Sequence, residues 1–347
     1  MRYASSGQGA NYYRRARVTR VAVVGTGYWG RNLVRNFHEL GALAGLYDSD
    51  ESTVTALTEI YGATKTWSSS DAVFEDPKID AVAIATPAAT HGALAKRALN
   101  AGKSVFVEKP LCLDLGEAAE LRTLVADSDQ VLMVGHLMLY HPAFQALQLA
   151  VEAGRIGDLR YIYSNRASLG KIRREENALW SFAPHDISMI LALAGRMPDR
   201  IVCNGGTYLR EGVADTTLSH FSFAGNLQAH IFVSWLHPYK DHRMVVVGSE
   251  GMIVFDDVRL GEEKLQLYFH EIGWEGDIPS VIKADGRPIS YADEEPLRNE
   301  CRHFLDCVSS GEQPRSDAEE GNRVLFVLDA CQNSLSEGRT IEVSYDE

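Results

Sequence analysis

Gly25-Thr26-Gly27-Tyr28-Trp29-Gly30 follows the apolar run Val21-Ala22-Val23-Val24 and opens a helix-length segment. Glycines at this spacing allow a tight strand-to-helix turn. They also let a pyrophosphate approach the free N–H groups of a helix N-terminus, where the macrodipole favours an anion. Asp48 lies 18 residues past Gly30, at the end of the next expected strand. A carboxylate there accepts hydrogen bonds from an adenosine ribose and repels a 2′-phosphate. The combination predicts a dinucleotide site made of Gly25, Gly27, Tyr28, Trp29, Gly30 and Asp48, with NAD preferred over NADP. A merely tight turn or a methyl-donor site is the competing explanation of the glycines, and a helix N-cap that of Asp48. Two further segments sit at carboxyl ends of expected strands, where ligands of open α/β sheets bind. They are Ala85-Thr86-Pro87, with His91 four residues on, and Val107-Glu108-Lys109-Pro110.

The elements that must position these residues alternate. Short β-branched runs (21–24, 42–47, 81–85, 104–107, 131–134) are separated by helix-length amphipathic stretches ending at Gly41, Gly62 and Gly102. Strand and helix alternating at this period mean βαβ units and a parallel sheet. Past about Tyr140 the rhythm changes to longer alternating strands, near 159–167, 215–223, 227–236 and 244–248, joined by turns such as Ala224-Gly225-Asn226. Helices are expected near 142–153, 180–194, 296–309 and 317–336, then a last strand near 340–343. The reading is a doubly wound α/β Rossmann domain over 18–138 and an α+β domain over 139–347 with a large, mainly antiparallel open sheet. Residues 1–17 are expected to form a flexible N-terminal tail or an arm contacting a neighbouring subunit.

The glycine loop, Ala85-Thr86-Pro87 with His91, Glu108-Lys109-Pro110, and Gly135-His136 followed by Tyr140-His141-Pro142 resemble the Gfo/Idh/MocA family of sugar and polyol oxidoreductases. So do the segments 297–311 and 317–338, and the likeness runs from about Arg20 to Val343. The resemblance implies that Thr86, Pro87, His91, Glu108 and Lys109 contact the cofactor, Glu108 holding the nicotinamide ribose. It implies that Lys109 also meets the hydroxyl being oxidised, where an ammonium stabilises a developing alkoxide. A second catalytic group, His185, comes from the other domain, imidazole being suited to proton transfer near neutrality. The family usually has an aspartate four residues before that histidine; here the position is Ser181, which removes the charge that would orient the ring. Asp186 is expected to cap or brace the helix.

Arg166, Lys171, Arg173 and Arg174 concentrate four cations in one loop region, followed by Glu175-Glu176. A solvated loop with internal ion pairs is one explanation, and a clamp on a pyrophosphate the other, since guanidinium forks match phosphate geometry. The stretches 175–188 and 135–144 also resemble members acting at C3 of UDP-N-acetylhexosamines. That likeness implies a nucleotide-sugar substrate bound by Tyr140, His141, Arg166, Lys171, Arg173, Arg174 and Ser181.

Composition narrows the partners. The 347 residues carry 34 Lys+Arg against 47 Asp+Glu, a net charge of -13, so phosphate backbones and anionic membranes are repelled. No apolar run approaches the roughly 18–20 residues of a membrane span, and the N-terminus has no secretory apolar core. The five cysteines are scattered, none at zinc or redox spacing, which fits buried thiols in a reducing compartment. A cytoplasmic enzyme without a metal, forming a homodimer or homotetramer across its open sheet, is the expectation.

Overall fold

The computed structural model describes residues 18–62, 64–170, 172–173 and 176–345. The expected tail, 1–17, and the loop cations Lys171 and Arg174 lie outside the described residues.

Six strands pair in parallel: β1 (Val21–Val24), β2 (Leu43–Tyr47), β3 (Lys65–Thr66), β4 (Ala81–Ile84), β5 (Ser104–Glu108) and β6 (Leu132–Gly135). Their order is β3-β2-β1-β4-β5-β6, so the direction of winding reverses between β1 and β4. Ligands of doubly wound sheets bind at that crevice. β1, β4, β5 and β6 are buried throughout, as continuous apolar runs covered by helices on both faces must be. The connecting helices are α1 (Gly30–Glu39), α2 (Glu51–Tyr61), α3 (Ser70–Phe74), α4 (His91–Asn100) and α5 (Leu115–Ala126). Asp50, Ser69 and Asp114 cap α2, α3 and α5 with side-chain oxygens. α1 has no side-chain cap, which leaves its leading N–H groups to a ligand.

The second half places α6 (Pro142–Glu152) and α7 (Ala178–Ala194) on a ten-stranded sheet. Its strands are β7 (Leu159–Ala167), β8 (Arg200–Gly206), β9 (Thr216–Ser222), β10 (Gln228–Ser234), β11 (Asp241–Gly248), β12 (Gly251–Asp256), β13 (Leu265–Glu275), β14 (Ile278–Lys283), β15 (Arg287–Pro288) and β16 (Ile341–Glu342). The order is β14-β13-β12-β11-β7-β10-β9-β8-β16, with β15 beside β13. Every pairing is antiparallel except β7 with β10. The turn at Gly225 joins β9 to β10 as expected. The strands β8, β12, β13, β14 and β15 have no counterpart in the sequence reading.

Two long helices return to the first sheet. α8 (Pro296–Ser310) lays Phe304 edge-on against Phe37 of α1 and Phe106 of β5, with centroids 6.3 and 5.8 Å apart. α9 (Ala318–Glu337) contributes Ala318 and Leu325 to the core beneath β4, β5 and β6. The segment before it pairs with the sheet edge as well: the Ser316 carbonyl accepts the Val134 N–H at 2.7 Å. The end of the chain therefore ties the two sheets together.

Candidate active site

The glycine loop is built for a close-approaching ligand. Gly25 has φ +91°, and a Cβ on it would lie 2.7 Å from the Ala85 backbone. A Cβ on Gly30 would lie 1.9 Å from the Gly25 carbonyl, so helix and strand pack only because both are glycine. Gly27 has nothing within 4 Å of where a Cβ would stand. That open space, over an uncapped helix N-terminus, fits a pyrophosphate. Asp48 closes the loop from β2: its Oδ2 accepts the Thr26 N–H at 2.6 Å. It is half-exposed, at the place a ribose reaches. Tyr28 is 79% exposed, while the Trp29 indole N–H donates to the Glu108 carboxylate across the crevice.

Lys109 follows β5, joined to Pro110 by a cis peptide bond. Its Nζ donates to the Ser181 carbonyl of α7 at 2.8 Å, so the ammonium of the first domain reaches the helix of the second. Pro184 lies inside α7 and has no N–H for the turn before it, which loosens the helix just before His185. Burial, opposed by Glu176 and Glu108, pushes the Lys109 ammonium below its ordinary value. Burial beside Lys109 and Arg166 holds the His185 imidazole well below its ordinary value, so it stands neutral at pH 7. Its Nδ1 is buried without a hydrogen-bond partner. Ser181 leaves that nitrogen unsatisfied, and the ring is positioned by packing and by α7.

α7 is braced by the neighbouring residue. Asp186, fully buried, accepts Arg166 Nε at 2.6 Å and Ser164 Oγ at 2.5 Å, both from β7. His242 on β11 is the register partner of Arg166. Its Nε2 is buried without a partner, and burial next to Arg166 pushes the ring down to about 3. Nothing in the sequence flagged His242, because only the sheet register brings it beside Arg166 and His185.

Four sequence assignments are corrected. His91 is buried with its ring nitrogens against the Pro110 and Thr86 carbonyls at 2.8 and 2.9 Å; it ties two loops together instead of touching a cofactor. Tyr140 is 2% exposed and its hydroxyl bonds Ser316, so it is a core residue and lines no sugar pocket. His141 caps α6 through Nδ1 and pairs with Asp257 through Nε2, leaving neither nitrogen for a substrate. Arg166 is committed to Asp186 and is not a free clamp. Ser181 takes part through its carbonyl, its residue being buried. Arg173 pairs with Glu176 at 3.2 Å and remains partly exposed beside Lys109. Thr86 bonds Thr90 through its hydroxyl, and Pro87 is exposed at the crevice edge. Among the described residues no group of three or more His, Cys, Asp and Glu side chains is placed to hold a metal ion.

A doubly wound dinucleotide fold with an ammonium and an imidazole meeting across two domains defines an oxidoreductase. The chain belongs to the Gfo/Idh/MocA family: residues 19–136 match its oxidoreductase family, NAD-binding Rossmann fold, and residues 144–254 its C-terminal domain. NAD is accordingly its cofactor, and the open Gly27 cradle, the uncapped α1 and Asp48 are the residues that fit it. Among similar proteins, a myo-inositol 2-dehydrogenase of Thermotoga maritima is 27% identical over 93% of this chain and 98% of its own. A UDP-N-acetylglucosamine 3-dehydrogenase of Acidithiobacillus ferrooxidans is 27% identical over 88% of this chain and 94% of its own. Its solved structure superposes with a TM-score of 0.81 over 92% of this chain and 97% of that one, at 25% identity. A putative oxidoreductase from Magnetospirillum magnetotacticum superposes with a TM-score of 0.80 at 31% identity, over 91% of this chain and all of the other.

Proposed function

We propose that the protein oxidises a secondary hydroxyl of a sugar, and that the sugar is a UDP-N-acetylhexosamine oxidised at C3. The observation that carries the first part is the Lys109–Ser181 contact, which sets the ammonium one helical turn before the neutral His185. Bound NAD+ supplies a hydride acceptor. His185 takes the hydroxyl proton, and Lys109 holds the oxygen as charge develops on it. Asp186 and Arg166 keep α7 fixed on the sheet, so that both groups stay within the reach hydride transfer demands. His242 offers its free Nε2 to a second polar group of the substrate.

The nucleotide part is supported by the likeness to a UDP-N-acetylglucosamine 3-dehydrogenase and by Arg173 beside Lys109. A second reading, a polyol such as an inositol, is favoured by the engagement of Arg166 with Asp186, which removes one cation from the diphosphate clamp, and by the myo-inositol relative. Incubation with NAD+ and a panel of UDP-sugars and inositols, followed by mass spectrometry of the ketone, distinguishes them. A ketone two mass units below UDP-N-acetylglucosamine supports the first reading, and one from inositol alone replaces it. The five buried free cysteines fit a reducing compartment, and the cytoplasm is the location we infer. No described helix is long and apolar enough to cross a membrane.

A further inference from the structure

Behind the crevice lies a group of buried acids that the reaction above does not use. On α8, Glu300 is 1% exposed, and neither carboxyl oxygen has a hydrogen-bond partner. It sits four residues, one helical turn, before Phe304, which packs on Phe106 of β5. Glu108 is two residues past Phe106 on the same face of that strand, where successive side chains alternate. Helix and strand thus bring Glu300 over Glu108. Each of the elements around them adds a group. Trp29, at the start of α1, donates its indole N–H to Glu108. His136, after β6, is buried and bonds Glu320 of α9 at 2.5 Å, while the second Glu320 oxygen is buried and free. Tyr140 is held by Ser316, Arg35 of α1 is engaged with Glu295, and Cys301 is the buried thiol beside Glu300 on its own helix.

Charge does not balance in this group. The nearest ammonium, Lys109, points to the Ser181 carbonyl. The acids are not placed to hold a metal ion. Two ionised carboxylates in a dry interior, one with no donor at all, are costly. Either a proton or an entering positive charge must compensate them. Burial pushes Glu108 up to about 7, and burial beside Glu108 and Glu320 pushes Glu300 well above its ordinary value. The sole mobile cation expected at the mouth of β5 is the oxidised nicotinamide ring.

We propose that Glu300 and Glu108 form a carboxyl pair that holds a proton while no positive charge occupies the nicotinamide site and releases it when the cationic ring of NAD+ binds. The neutral ring of NADH leaves the proton in place. The redox state of the bound cofactor is thereby linked to one proton, and the preference for NAD+ over NADH rises with pH. This rests on the NAD-binding role of the chain and not on which sugar it oxidises.

Titrating the full-length protein with NAD+ and with NADH, without sugar, between pH 6 and 9 tests it. For the wild type, the ratio of the NAD+ to the NADH dissociation constant is expected to fall by up to about tenfold per pH unit where the pair titrates. Calorimetry at pH 7 in two buffers of different ionisation heat should show proton release with NAD+ and none with NADH. In Glu300→Gln, or in Glu300→Met, which keeps the volume, only Glu108 is left to titrate without a like-charged neighbour, so the pH range over which the ratio falls should move to lower pH and the release at pH 7 should shrink. A flat ratio in the wild type, equal proton release with both cofactors, or an unchanged pH range in either folded variant overturns the proposal. Should neither variant fold, the wild-type proton count decides. A failed sugar assay leaves all of these outcomes readable.

Discussion

Lys109 has neighbours that pull its chemistry in opposite directions: burial weakens its hold on a proton, and Glu176 and Glu108 strengthen it. The result is a cation held at a helix carbonyl, a contact that the substrate oxygen would replace in the proposed reaction. Lys109→Ala is expected to lower kcat by about 10²–10⁴-fold, the usual worth of a positioned acid–base group. NADH affinity, measured by fluorescence, should stay close to that of the wild type. An unchanged kcat would remove Lys109 from the reaction. For His185 the sign is clear: its pKa lies well below 6.5, so the base form is already complete at neutrality. With cofactor and substrate saturating, kcat for oxidation should be level through pH 6.5 and fall only at more acid pH. An inflection at the ordinary histidine value, abolished in His185→Asn, would show that the ring is solvated and not buried as described.

At the scale of elements, α7 is held to β7 by one buried ion pair, Arg166 with Asp186, reinforced by Ser164. Removing one charge strands the other in the interior. Asp186→Asn is therefore expected to cost about 3–5 kcal/mol by urea unfolding. It should also reduce kcat more than it raises the cofactor Kd, because α7 carries His185 and not the dinucleotide. A loss below about 1 kcal/mol would place the pair among exposed bridges. How the elements arise was legible unevenly. The glycine fingerprint and the buried strands of the first sheet read directly, since continuous apolar runs and obligatory glycines are local properties. The strands β8, β12, β13 and β14 did not, although each pairs antiparallel with a strand next to it in the chain. Tyr140, His141 and His91 looked like site residues through the family resemblance. Their partners, Ser316, Asp257 and the Pro110 carbonyl, are distant in sequence and consume them.

At the scale of the whole molecule, the ten-stranded sheet carries its helices on one face. Ala229, Ile231 and Val233 of β10 face them and are buried. Leu218 and His220 of β9 and Tyr161 of β7 face outward, Leu218 at 48% and Tyr161 at 43% exposure, and Tyr163 stacks on His230 with centroids 5.4 Å apart. A wide half-apolar sheet face of this kind is characteristically covered by another subunit. Light scattering is expected to give a dimer or tetramer, and Leu218→Glu should shift it toward the monomer. A wild-type mass of one chain would show that the face is solvated.

The residues themselves determined the dinucleotide cradle and the alternation of strand and helix, because these depend on steric and chemical properties of single side chains and their near neighbours; Lys109 and His185 were singled out by the family resemblance. Which histidines, tyrosines and arginines remain free for a ligand was settled only by folding. A hydrogen-bonding group is available when no other group has taken it, and the competitors for Tyr140, Arg166 and His141 arrive from strands, helices and loops that the linear order keeps apart.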